Sequence, residues 1–331
     1  MRTICIAATL AVSAVALSTA QQSSQARAGE GGIEVLQLRP NFYMLVGAGG
    51  NIAVQVGVDG AVVVDAGAAA RAPAVVDTIK KLSPGPIRYV INTSADADHA
   101  GGNEIVARAG QNLFTAPDPT GAGPSGAAIL STQRVLARMS APTGQAAPFA
   151  EGAWPSETFD RGRKYMYLNS EGIEVFHLPA AHTDGDAIVF FRRSDVVVAG
   201  DVFDTERFPV IDVARGGSVE GEIAALNRLV ELAIPSIPIV SREEGTWVVP
   251  GHGRLSDQLD VVQYRDMVTI VRDRVRDLVK AGMTLEQVKA ASPARGYTQR
   301  YGASSGSWTT DDFVEAVYRS LAAAAPSREK S

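Results

Sequence analysis

Asn92-Thr93-Ser94-Ala95-Asp96-Ala97-Asp98-His99-Ala100-Gly101-Gly102-Asn103 opens directly after Ile87 to Ile91, a β-branched run with the character of a strand. Two aspartates and a histidine are thereby delivered to the C-terminal end of that strand. An α/β framework exposes reactive side chains at such ends, while the strands behind hold them rigidly. Three of the four histidines share this placement: His99 here, His182 in Ala181-His182-Thr183-Asp184-Gly185-Asp186, and His252 in Pro250-Gly251-His252-Gly253. Asp201, in Gly200-Asp201 after the apolar run Val196 to Ala199, shares it too. Separate loops can therefore bring Asp98, His99, His182, Asp201 and His252 to one metal, and their nitrogen and oxygen donors suit zinc, iron or manganese. His177 lies inside the strand-like run Ile173 to Leu178 and reads as structural.

Composition narrows the field around this cluster. The 331 residues are 46% apolar and 20% charged, which excludes disorder, collagen and coiled coil and fits one large globular domain or two ordinary ones. With 31 basic against 36 acidic residues, net charge -5, the chain has no basic field for a polyanion, so nucleic acid is not an expected partner. Binding to a membrane through charge is not expected either. Cys5 is the only cysteine, so an internal disulfide and a thiolate metal site are both ruled out.

The N-terminus predicts export. Met1-Arg2 gives a positive start, Ile4 to Leu17 is apolar or small throughout, and cleavage is expected after residue 20 or after residue 28, leaving residues 1–28 as a signal peptide. About 14 apolar residues at 1.5 Å each span roughly 20 Å, short of a hydrocarbon core of about 30 Å, so no stable membrane anchor is expected. The mature protein would be periplasmic or secreted, and without cysteine.

Short β-rich runs separated by glycine fill Ile33 to Leu38, Phe42 to Val46, Ile52 to Val58 and Ala61 to Asp65. Helical spacing covers Ala70 to Leu82, a short helix to Arg108, Ala127 to Met139, Ser218 to Ala233, Gln258 to Lys280, Thr284 to Ala291 and Asp311 to Ala324. Further strands are expected at Ala187 to Arg192 and Trp247 to Val249. Residues 140–156, rich in proline, glycine and alanine, read as loop. The layout is α/β with a helical tail, and the long helix from Gln258 offers a packing or homo-oligomer face.

These loops resemble the five motifs of the metallo-β-lactamase superfamily. Val64-Asp65-Ala66-Gly67 is similar to its strand-end aspartate, and Ser94 to Asn103 to its His-x-His-x-Asp-His stretch followed by Gly-Gly-Asn. His182, Gly200-Asp201 and Gly251-His252-Gly253 are similar to the other three. The resemblance implies a four-layer αββα sandwich at residues 33–253 and, more loosely, a C-terminal helical extension at 254–325. It further implies one metal position built by Asp98, His99, Asp201 and His252, with Asp65 orienting the metal loop. Ser94 and Asp96 stand where the other position normally has two imidazoles. That first position keeps His182 and the bridging Asp201, and with Ser94 a poor ligand and Asp96 an anionic one it is weakened or shifted toward a harder ion.

Together with the N-terminal export signal, the resemblance implies an exported hydrolase, with zinc at Asp98/His99/Asp201/His252 and a second ion, zinc, manganese or iron, possible at Asp96/His182/Asp201. A metal-activated water, oriented by Asp98 as the catalytic residue, would attack an ester, amide or lactam, or phosphoester-type bond of a small-molecule substrate. The alternative is a non-catalytic relative that keeps the groove to bind a metal or ligand. A redox diiron reading is weaker, because no flavin or electron-carrier module follows the domain. Trp154 and Phe208 are candidate substrate contacts overhanging the site.

Overall fold

Ala61-Val62-Val63-Val64 is apolar at every position, as a strand covered on both faces must be. In the computed structural model, which describes residues 32–113, 126–142, 144–160, 162–236 and 245–324, this strand lies in the interior of the larger of two sheets. The expected signal peptide, residues 1–28 with Cys5, lies outside the described residues. Among the described residues no helix is long and apolar enough to cross a membrane.

The larger sheet has the order β1(Glu34–Arg39), β2(Phe42–Ala48), β3(Gly50–Gly57), β4(Gly60–Val64), β5(Ile87–Ile91), β6(Ala128–Thr132) and β7(Glu157–Phe159). Its first four strands are an antiparallel meander, and β4 to β7 run parallel. Helices α1(Ala72–Leu82), α2(Ala97–Ala100), α3(Asn103–Arg108) and α4(Gln133–Met139) intervene along the chain. The smaller sheet runs β12(Trp247–His252), β11(Val196–Asp204), β10(Asp186–Phe191), β9(Glu171–Leu178) and β8(Arg163–Leu168), antiparallel except for the β11–β12 pair. Helix α5(Val219–Leu232) precedes β12, and α6(Gln258–Lys280), α7(Leu285–Ala290), α8(Thr298–Tyr301) and α9(Thr310–Ala324) follow it.

Alternation along the strands builds the layers. Val62 and Val64 point into a core shared with Val189, Phe191 and Val198 of the other sheet, whereas Ala61 and Val63 face Val75 and Ile79 of α1. On the far side, Val197 and Val248 meet Leu226 of α5, Val268 of α6 and Phe313 of α9. The result is the αββα sandwich, with the C-terminal helices packed into its second outer core.

Three expectations need correction. Ala127 to Met139 is not one helix: Ala128–Thr132 is a fully buried strand, and the helix begins only where the Thr132 hydroxyl accepts from the Val135 amide. Strands β7 and β8 lie in a region given no strand by sequence, because their mixed polar pattern marks them as sheet edges. Phe208 does not overhang the site; it is buried and stacks on Phe313 with ring centroids 4.7 Å apart.

Glu222 on α5 is fully buried, and neither carboxylate oxygen has a hydrogen-bond partner. Burial pushes its carboxyl well above the ordinary range, with Asp186 adding to the shift. The folded state therefore holds this proton more tightly than the unfolded chain. Its contribution is fully present below the ordinary carboxyl pKa and is lost as pH rises. Replacing Glu222 by Met should raise stability at neutral pH by about 1–3 kcal/mol and flatten the pH dependence, read from urea melts between about pH 5 and about pH 8.

Candidate metal centre

The site is assembled at the ends of strands from both sheets. Asp65, directly after β4, has a left-handed backbone at φ 64°. Its carboxylate accepts from the Thr93 amide at 2.8 Å and the Thr93 hydroxyl at 2.7 Å, and its Oδ2 lies 2.8 Å from His99 Nδ1. The exit of β5 and the His99 ring are thus tied to one buried carboxylate. His99 sits on the single turn α2, not in open loop, and a Cβ on Gly50 would come within 2.7 Å of its ring. Only glycine lets β3 lie so close to the imidazole.

Asp201 belongs to β11, which continues past the expected end at Ala199. At Gly200, φ 55°, the register against β12 shifts, and this irregularity turns the Asp201 side chain toward the histidines. Its Oδ1 is 3.1 Å from His99 Nε2 and 3.7 Å from His252 Nε2, while Oδ2 is 3.9 Å from His182 Nε2. His252 ends β12, where Asn51 clamps the turn by donating to the carbonyls of Pro250 and Gly253.

All six residues singled out by the sequence come together, as two groups. Asp98, His99 and His252 offer one ligand atom each, all within 4.8 Å of one another, and so do Asp96, His182 and Asp201. His177 is apart, its Nε2 donating to the Asp184 carbonyl. Asp186 caps the turn before β10 by accepting from the Thr183 amide and hydroxyl. Trp154 packs beside Ala100 and Met139, with its indole N–H donating to the Phe149 carbonyl.

The two groups differ in one respect. His252 Nε2 is buried and makes no hydrogen bond, although Asp98 Oδ2 is 3.1 Å away. An orphaned imidazole nitrogen facing Asp98 and Asp201 fits a cation at that position. In the other group, burial opposes protonation of His182, but its hydrogen bond to Asp96 and the charge of Asp201 lift its pKa to about 10. Burial would raise the Asp96 carboxyl, yet hydrogen bonds from His182 and Arg215 hold it well below the usual range. The neighbouring His252 and His99 imidazoles likewise favour the charged form of Asp98 and hold its carboxyl below the usual range.

The centre opens into a pocket of roughly 230 Å³ lined by Asp96, Asp98, His182, Asp201, Asp204, Arg207, Val210, Ser307 and Trp308. Arg207 donates from Nε to Asp204 Oδ2 at 2.6 Å. Trp308, whose indole N–H has no hydrogen-bond partner, comes from the stretch between α8 and α9. Sequence reasoning missed Arg207, Arg215 and Trp308, since nothing in their local pattern marks them as neighbours of the histidines.

A family model for the metallo-beta-lactamase superfamily matches residues 46–237. The chain belongs to the metallo-beta-lactamase superfamily. Members of this superfamily bind metal ions, and the two His/Asp groups are arranged so that they could hold one. Among solved structures, the stereoselective inverting sec-alkylsulfatase Pisa1 from Pseudomonas sp. is similar over 87% of this chain and 50% of its own, with TM-score 0.61 and 16% identity. The chain thus spans about half the length of that enzyme. A metallo-beta-lactamase from Pontibacter korlensis aligns over 72% of this chain and 99% of its own, with TM-score 0.52 and 17% identity. The DIM-1 metallo-beta-lactamase aligns with TM-score 0.50 and 14% identity over 72% of this chain and 98% of its own. No curated protein matches the chain.

Asp65→Ala should cost about 3–5 kcal/mol in denaturant melts, because it strips a buried partner from His99 and leaves the Thr93 amide and hydroxyl unsatisfied. Asp65→Asn, which still tolerates the left-handed backbone, should cost less. Equal losses would show that the carboxylate's charge and paired acceptors, and not the left-handed backbone, carry the cost.

Proposed function

We propose that this chain is an exported metal-dependent hydrolase with zinc held by Asp98, His99, Asp201 and His252. The observation that carries the reading is the orphaned His252 Nε2, buried beside two carboxylates and a second imidazole. Two imidazoles with carboxylate oxygens are a donor set that suits zinc. When bound, the ion supplies hydroxide near neutral pH, since water coordinated to zinc has a pKa of about 7 against about 15.7 in bulk.

The remaining parts belong to the chain. Asp65 fixes the His99 ring so that Nε2 faces the centre. Asp98, its side chain 41% exposed, lies on the pocket wall and orients the attacking water while accepting its proton. Trp308 and Val210 give the pocket apolar walls, and Arg207 places a positive charge beside a leaving group or a substrate oxygen. The substrate is a small molecule with an ester, amide or lactam, phosphoester or related bond. The alkylsulfatase and metallo-beta-lactamases of similar fold are the reason to include sulfate esters and lactams.

Purified protein should retain metal through dialysis, and His252→Ala or Asp98→Ala should lose it, because each removes one of about four ligands. Elemental analysis gives the metal-to-protein ratio, and near-stoichiometric metal in both variants would sink the reading. The same preparations, screened against carboxyl esters, lactams, phosphodiesters and alkyl sulfates, identify the substrate class. Metal retained with no turnover on any of the four would favour the non-catalytic relative that Ser94 and Asp96 also suit.

A further inference from the structure

The first metal position has no donor atom left without a partner. Asp96 Oδ1 accepts from Arg215 Nη1, and Asp96 Oδ2 accepts from Arg215 Nη2 at 3.3 Å and from His182 Nε2 at 2.8 Å. His182 Nδ1 donates to the Val210 carbonyl at 2.7 Å. Asp201 Oδ2, the oxygen on this side of the bridging carboxylate, accepts from the Ser94 hydroxyl at 3.1 Å. That hydroxyl in turn accepts from the Asp96 amide at 3.3 Å.

Arg215 is built in. Its Nε donates to Asp212 Oδ2 at 2.6 Å and its amide to Asp212 Oδ1 at 2.9 Å, so the guanidinium is fixed by one carboxylate while it grips another. Its carbonyl accepts from Arg138 Nη2 at 2.6 Å and from the Asp184 amide at 3.0 Å. The Asp212 amide donates to the His182 carbonyl, which ties the arginine loop to the histidine it serves. Guanidinium keeps its charge at any accessible pH, and its planar fork matches a carboxylate through two parallel N–H bonds.

We propose that Arg215 stands permanently in the place of the first-position cation, so that the centre takes a single metal ion, at Asp98/His99/Asp201/His252. The inference rests on the metal-binding reading above. Ser94 and Asp96 then belong with the arginine: the hydroxyl completes Asp201 where an imidazole would have pointed at a metal, and Asp96 anchors the guanidinium. Arg215 is a positioning residue. It does not line the pocket, and it acts by neutralising Asp96 and holding it against His182.

The test is metal stoichiometry of the full chain, stripped with a chelator and titrated with zinc and with cobalt(II), read by elemental analysis and by the cobalt visible spectrum. Wild type should bind one equivalent tightly, and Arg215→Met, with Asp96 released, should bind a second. Asp96→Asn provides a reading that does not depend on the Arg215 variant folding: it should keep one equivalent with affinity within about threefold of wild type, because this side chain ligates nothing. Two tight equivalents in wild type would overturn the proposal while leaving the hydrolase reading intact. One equivalent in both wild type and folded Arg215→Met would remove the arginine's role, and loss of the single equivalent in Asp96→Asn would make Asp96 a ligand. No tight metal in wild type would overturn both readings together.

Discussion

A carboxylate taken out of water stays ionised only where positive charge or hydrogen-bond donors replace its hydration, and Asp201 sets that requirement at the meeting point of the two sheets. Its side chain is 10% exposed, and burial alone would raise its carboxyl. The charges of His99, His182 and His252 and the hydrogen bond to His99 reverse the shift and hold it well below the ordinary range. Three histidines that are distant in sequence are therefore drawn to one carboxylate. The backbone features around them, the left-handed Asp65, the irregularity at Gly200 and the Asn51 clamp on the Pro250–Gly253 turn, aim side chains at that point.

The strands that deliver these residues were legible because burial on both faces leaves a plain mark. Ile87 to Ile91 matches its strand residue for residue, and the helix Gln258–Lys280 coincides with its apolar spacing. The mark fails where a segment changes type at polar residues that a helix also accommodates, as at Ser131-Thr132-Gln133-Arg134. Ala128–Thr132 and Gln133–Met139 share small and apolar residues, and only the side-chain cap at Thr132 separates strand from helix. Edge strands such as Arg163–Leu168 alternate exposed and covered positions, so a moderate excess of polar residues hides them.

Within the site, the residues with ligand chemistry could be read and their supports could not. A histidine between glycines at a strand end announces itself, whereas Arg215 is one arginine among many. Its partner Asp96 lies 119 positions away, and the contact exists only because the loop after β11 folds back over His182. Phe208 and Trp308 make the same point from opposite sides. The first follows Asp201 closely but turns into the outer core against Phe313, while the second lies far along the chain and reaches the pocket. The C-terminal helices are therefore not an appendage to the site. Their packing against the smaller sheet fixes the stretch from which Trp308 and Ser307 close one wall.

The two halves of the centre meet the demand of Asp201 by different means, and the difference follows from what each can neutralise unaided. On the Ser94/Asp96/His182 side, a hydroxyl, a guanidinium and an imidazole satisfy every oxygen, so the charge is balanced by groups that never leave. On the Asp98/His99/His252 side, no ion pair joins Asp98 to an arginine among the described residues, and the imidazole beside it, His252, has an Nε2 that makes no hydrogen bond. This is the side that the proposed metal would complete. A fixed cation holds one carboxylate rigidly but offers no exchangeable ligand, while a metal can bind water and so supports chemistry. Under the single-metal proposal the exchangeable position is confined to the side where Asp98 faces the pocket, and Asp96 and His182 form a fixed wall of that pocket beside it.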